Sequence, residues 1–298
     1  MKQKKVKENL TDVIWDKVLA LFLIIAAFIT VAPFIYVVAG SFSTEKELTE
    51  RAFFLIPHTI SFNAYKYIVQ TGEIFRGLKN SIILTIIGTF SSLFFTSTFA
   101  YPLSKVHFKG RNLILNLVIV TMLFSGGLIP TFLVVKHLGL YNHFAALILL
   151  GAISPFNMII MKGFFAGIPN ELEEAAIIDG YSDLGVFVKI FLPLSKPVLA
   201  SIGLFCAVGY WNDYFSAMIY LSDSYKETVQ IVLRRIVLLA SGGDQINNSL
   251  FDFDMFGAPP DKAVKMASTM VATIPILCVY PFLQKYFAKG VMVGAVKG

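Results

Sequence analysis

Six consecutive residues, Gly209-Tyr210-Trp211-Asn212-Asp213-Tyr214, put a carboxylate, an amide and three aromatic rings inside an otherwise apolar run. Such a group suits a sugar, whose apolar ring face stacks on aromatic side chains while its hydroxyls bond to polar ones. The same residues also fit an aromatic belt near a membrane interface with a structural Asn-Asp pair. Asp213 is the one acid inside an apolar run, and a carboxylate at that depth costs about 3 kcal/mol unless it meets water or a partner, so it is expected to face inward. Enzyme-like chemistry does not assemble elsewhere. His58, His107, His137 and His143 are scattered, with no HExxH and no nucleophile elbow. Asp252-Phe253-Asp254 has the DxD spacing of metal-dependent glycosyltransferases, yet no further ligands cluster around it. There is no Gly-Lys-Ser or Gly-Lys-Thr, so the chain has no P-loop and is not its own ATPase.

The elements that must position these residues are membrane helices. The 298 residues are 56% hydrophobic and 15% charged, with 28 Phe, and mean hydropathy is +0.71. A soluble domain carries far more charge, so the fold class is an all-α polytopic membrane protein. Six spans are expected at about 18–40, 81–103, 113–135, 144–161, 198–221 and 266–284, each near the length that crosses the hydrocarbon as a helix. Residues 1–17 are expected to form a cytoplasmic N-terminal segment before a transmembrane domain of 18–298. The basic N-terminus resembles a signal-peptide n-region, but the apolar run after it exceeds a short h-region and reads as a retained helix. Cys206 and Cys278 fall in apolar runs and read as packing residues.

Charge placement sets the orientation. If the segment between the fourth and fifth spans is cytoplasmic, the inner segments hold 14 Lys and Arg in 76 residues against 11 in 91 outside. Both termini are then inside. This placement explains the net charge of +6 better than nucleic acid does.

Two further spans are interrupted. Ser125-Gly126-Gly127 with Pro130 breaks the third, and Pro155 with Asn157 breaks the fourth. Freed backbone groups at that depth are tolerated against protein or a wet cavity, so close helix packing and a translocation pathway both fit. Ser125 and Trp211 each lie about fourteen residues from an inner boundary, or roughly 21 Å deep, which would suit one shared site. The candidate pathway residues are Ser125, Gly126, Gly127, Asn157, Tyr210, Trp211, Asn212 and Asp213.

Between the fourth and fifth spans, Pro169 to Pro197 is patterned as two short helices. Asn170 is expected to cap the first with Glu173 completing a capping box, and Gly180 to end it in the left-handed conformation. Ser182 caps a second that Pro193 closes. Leu172, Ala175, Ala176 and Asp179 share a face open to a partner surface. An ordinary interfacial helix pair is the plainer alternative.

Glu174-Ala175-Ala176, three residues, Gly180, nine residues, then Ile190-Phe191-Leu192-Pro193 resembles the EAA loop, EAA-x3-G-x9-I-x-LP, of ABC importer permeases. Together with SGGLIPTF, GYWNDYFSA and the KGVMVGAVKG ending, the chain is similar over nearly its whole length to carbohydrate permeases of the maltose-permease type. Within them it resembles the complex-oligosaccharide subfamily of Gram-positive bacteria that includes the Lpl and Ytc permeases. The resemblance implies a type I importer permease in a bacterial cell membrane. It implies a second homologous permease subunit that supplies much of the sugar contact, and two copies of a cytoplasmic ATPase that bind the ATP and magnesium. It also implies an extracellular solute-binding lipoprotein and an oligosaccharide cargo. The coupling residues would be Glu173, Glu174, Ala175, Ala176, Asp179, Gly180, Ile190, Leu192 and Pro193, with Lys297 and Gly298 reaching the ATPase interface. Gly242, Gly243, Asp244, Gln245, Asn247 and Asn248, in the polar loop after the amphipathic stretch 228–239, would probe the binding protein. An ion-driven secondary transporter is the rival. The sequence shows neither the inverted repeat nor the set of buried carboxylates expected of one.

Overall fold

The computed structural model describes the backbone of residues 10–239 and 262–295 and the side chains of 14–238 and 262–279. The loop residues 242–248 and the terminal Lys297 and Gly298 lie outside the described residues. In chain order the helices are α1 (Leu10–Ser41), α2 (Glu45–Glu50), α3 (Asn63–Thr71), α4 (Glu73–Ser104), α5 (Arg111–Leu123), α6 (Leu128–His137), α7 (Phe144–Leu150) and α8 (Pro155–Ala166). They continue with α9 (Asn170–Ile178), α10 (Asp183–Val186), a π-helical turn (Phe187–Phe191), α11 (Leu192–Leu194), α12 (Lys196–Asn212), α13 (Phe215–Tyr220), α14 (Val229–Leu239) and α15 (Lys262–Ala295).

Three of these are long and apolar enough to cross a bilayer alone: α1 from Ile14, α4 and the first part of α15. Three more candidates are bent pairs, α5 with α6 at 116°, α7 with α8 at 52°, and Asp183–Leu194 with α12 at 80°. The sequence reading expects interrupted spans at 113–135 and 144–161, and the structure bends the chain at both interruptions. Gly127 takes φ +83° and ψ 164°, a conformation that glycine alone adopts readily, between α5 and α6, and Pro155 cannot donate to α7 and so starts a new helix. The expected fifth span, 198–221, stops at Asn212. Asp213 leaves helical geometry and its carboxylate accepts the N–H of Ser216 (3.0 Å), which restarts the chain as α13.

The chain forms two compact units, residues 1–71 with 235–271, and 72–234 with 272–298. In the first, α1 turns its apolar side chains outward along its length. Its end is fastened by Ser41 Oγ to the Tyr65 hydroxyl (2.9 Å) and by Phe42 packed on Tyr65, with ring centroids 5.0 Å apart. Glu47 on α2, though charged, is buried because its carboxylate accepts the backbone N–H of His58 (2.9 Å) and a bond from Arg51 (2.7 Å).

In the second unit α4 packs along α8 and α12. Its buried face carries small residues four or seven apart, Gly77, Ser81, Gly88, Ser92, Thr96 and Ala100. Without a hydrophobic driving force between helices in lipid, such a stripe lets backbones approach closely. Gly77 lies against the Val229 backbone, where a Cβ would stand 3.0 Å from Cα of Val229.

Candidate functional site

The segment between α8 and α12 forms a cradle at one end of the second unit. α9 ends in a Schellman turn, with Tyr181 N–H on Ala176 O (3.0 Å), Gly180 N–H on Ile177 O (3.0 Å) and Gly180 at φ +83°. Ser182 Oγ then accepts the N–H of Gly185 (3.4 Å) and starts α10. Both features agree with the sequence reading. The capping box does not form. Pro169 occupies the N-cap, Asn170 is already helical, and the Glu173 carboxylate turns to Lys105 instead. Nor does Pro193 close the second helix. The turn before it widens to π geometry, in which the N–H of Leu192 reaches Phe187 O, and the helix runs through the proline to Leu194.

The four residues expected on one open face of α9 divide. Ala176 is buried in the core formed by Leu103, Met161, Phe165, Val186 and Phe191, against which Ile190 and Leu192 also pack. Glu174, Ala175, Asp179, Gly180 and Pro193 stay exposed. Beside them lie Leu172, on the expected face, at 43% exposure, and two large apolar side chains that sequence reasoning missed, Ile178 at 85% and Leu184 at 71%. On α9 the signal was periodic: positions 172, 175 and 178–179 share one helical stripe, whereas 173 and 176 face inward.

Behind the cradle the rings of Tyr101, Phe165, Phe187 and Phe191 form an aromatic cluster, with Tyr101 4.9 Å from Phe187 and 5.0 Å from Phe191. Lys105, just past the end of α4, places its ammonium 3.9 Å from the Phe191 centroid and 4.6 Å from that of Tyr101, and donates to Glu173 Oε2 at 2.5 Å. No motif marked Lys105, because the pairing spans sixty-eight residues of sequence.

The candidate pathway residues separate into two sets. Ser125, Gly126, Gly127 and Asn212 are exposed and Asp213 is half-buried. Tyr210, Trp211 and Asn157 are at most 8% exposed. Tyr210 is built into the fold. Its hydroxyl donates to Ile148 O (3.2 Å) and lies 3.1 Å from Ser92 Oγ, whose own proton goes to Gly151 O (2.8 Å). Both carbonyls are orphans of the bend between α7 and α8. Pro155 has no N–H for Gly151 O, and Ala152 N–H goes to Leu149 O rather than Ile148 O. In a membrane such groups must be satisfied by protein. Asn157 similarly turns inward, its amide 3.6 Å from Cys206 Sγ. The Ser125–Gly127 break carries no such protein cover, so of the interrupted stretches it is the one open to a partner surface or a wet pathway.

Comparison with known proteins follows the same lines. Residues 92–293 match a family described as the inner membrane component of binding-protein-dependent transport systems. Protein LplC of Bacillus subtilis (strain 168) is 54% identical over 274 residues, covering 91% of this chain and 90% of the relative. The polygalacturonan/rhamnogalacturonan transport system permease protein YtcP of the same organism is 50% identical over 285 residues, covering 96% and 99%. A chain in the crystal structure of a bacterial ABC transporter involved in the import of the acidic polysaccharide alginate superposes with a TM-score of 0.84 at 34% identity, covering 95% of this chain and all of that one.

Proposed function

The chain belongs to the family of binding-protein-dependent transport system inner membrane components and is a permease subunit of an ABC importer, and from that premise we propose that its cargo is an oligosaccharide. The reading draws support from relatives named for polygalacturonan/rhamnogalacturonan transport and alginate import. This subunit forms one half of the pathway and pairs with a second, homologous permease. Two copies of a cytoplasmic ATPase bind the ATP and magnesium, and an extracellular solute-binding lipoprotein delivers the sugar. The setting is a Gram-positive cell membrane, with both termini and the segment 169–197 inside.

The observation that carries the coupling role is the exposure of Leu172 and Ile178 on α9 and of Leu184 on α10 beside an intact EAA motif. An Ile at 85% exposure on a short helix, outside the apolar spans, calls for a protein groove. Nucleotide closes the ATPases, the docked helices move with them, and the bundle opens outward to receive the sugar; hydrolysis returns it inward. The nucleotide acts by favouring one of two arrangements of the cradle.

The test is a cysteine crosslink from I178C, with Cys206 and Cys278 replaced, in native membranes. A crosslink to an ATPase that changes with ATP and vanadate is the expected result. Folded, abundant protein that crosslinks to no ATPase would overturn the coupling role. Uptake that survives ATP depletion and collapses with an uncoupler would favour an ion-driven transporter.

A further inference from the structure

Lys105 bridges α9, the π turn and the end of α4. Its backbone N–H closes α4 on Pro102 O (3.1 Å). Its side chain, 23% exposed, bonds to Glu173 on α9 and lies on Phe191, the last residue of the π turn that leads toward α12. A cation on ring faces and beside a carboxylate interacts more strongly when partly removed from water. Tyr101, one turn earlier on α4, supplies the second ring and donates its hydroxyl to Asp183 O (3.4 Å) at the start of α10. α9 itself buries a single residue, Ala176. Beside that buried contact, the Lys105 ion pair ties α9 to the end of α4. A glycine in the left-handed conformation follows α9 at 180, and a further glycine precedes it at 167.

Resting on the reading that this segment docks an ATPase, we propose that Lys105 is a positioning residue for coupling. It locks α9, the π turn and the adjoining end of α4 into one body, so that displacement of α9 reaches the helix at the centre of the bundle. Without the cation, α9 pivots between Gly167 and Gly180, and nucleotide-driven movement is spent in the cradle.

The experiment uses the complete complex in nanodiscs, with Cys206 and Cys278 changed to serine. Spin labels are placed at H107C, after α4, and N170C, at the start of α9, both of which are exposed positions. Distances are measured by double electron–electron resonance without nucleotide and with ATP and vanadate. The parent is expected to give one narrow distance in both states. Lys105→Gln keeps that distance without nucleotide and loses it, by shift or splitting, with ATP and vanadate. Lys105→Arg restores the parent behaviour, as does the charge exchange Lys105→Glu with Glu173→Lys. A Lys105→Gln complex that matches the parent in both states overturns the proposal. So does broadening that is equal with and without nucleotide, which marks a static staple. If Lys105→Gln does not assemble, Glu173→Gln, which leaves the cation on its rings, is judged by the same criteria. The I178C crosslink separates the two failures: an ATPase that docks while Lys105→Gln is silent removes this inference alone.

Discussion

Adding one methyl group at Gly151 tests the account of the bent α7–α8 pair. A Cβ there would lie 2.5 Å from the Tyr210 hydroxyl oxygen and 2.9 Å from its Cζ. Tyr210 cannot withdraw without breaking its bond to Ile148 O and losing its contact with Ser92 Oγ. Gly151 has φ −92° and ψ 0°, which alanine adopts, so the expected penalty is steric rather than conformational. Overpacking of a buried site costs about 1–3 kcal/mol. Tyr210→Phe removes the hydroxyl, and interhelical hydrogen bonds in membranes are worth about 0.6 kcal/mol on average, at most about 1.7. In the double variant the shortest clash, with the hydroxyl oxygen, is gone and the nearest ring atom is Cζ at 2.9 Å. Gly151→Ala with Tyr210→Phe should therefore be little worse than Tyr210→Phe alone, a favourable coupling of about 1 kcal/mol. The assay is the unfolding midpoint of the four proteins in one detergent. Penalties that add to within about 0.5 kcal/mol would refute the reasoning, because residues that do not share a contact behave that way.

Three more outcomes are expected. Gly180 sits at φ +83° with nothing within 4 Å of its would-be Cβ, so substitutions meet backbone strain alone. Alanine should destabilise the cradle by about 1 kcal/mol, asparagine less and valine more, with ATP-coupled uptake falling in that order and membrane insertion unchanged. If valine transports as well as glycine, the left-handed turn is not required. Glu47 is held below its ordinary carboxylate pKa, first by the His58 N–H and also by Arg51. A lowered pKa stabilises the charged fold above the ordinary value, and that contribution disappears as pH falls through the lowered one. Amide exchange at His58 and Thr59 should thus stay slow until pH drops below the usual carboxylate range, and should be fast at neutral pH in Glu47→Gln. Equal protection in both proteins would refute this. Ser92→Ala leaves Gly151 O without its donor and should lower the unfolding midpoint by an amount near that of Tyr210→Phe; no change would mean another group satisfies the carbonyl.

Much of the cradle could be read from residue order because its signals are local. A glycine in the left-handed turn at 180 and a serine cap at 182 depend on neighbours within a few residues, and both are present. The interruptions at Gly126-Gly127 and Pro155 were visible for the same reason. What they do was not: at Pro155 the freed carbonyls are taken by Ser92 and Tyr210 from other helices, while the glycine pair stays uncovered. Tyr210 and Trp211 looked like sugar-binding residues by type, yet type alone does not say whether a ring faces a pathway or fills a gap between helices.

The sequence by itself determined an all-helical membrane chain, its approximate spans, and a coupling loop whose motif names its family, since hydropathy and turn chemistry are written in neighbouring residues. Only the tertiary structure decided which side of α9 is free, that Glu173 answers Lys105 rather than its own helix, and that Tyr210 holds a bent span together. Those outcomes depend on groups far apart in sequence meeting where unpaired charge or backbone is costly, and helix packing alone brings them there.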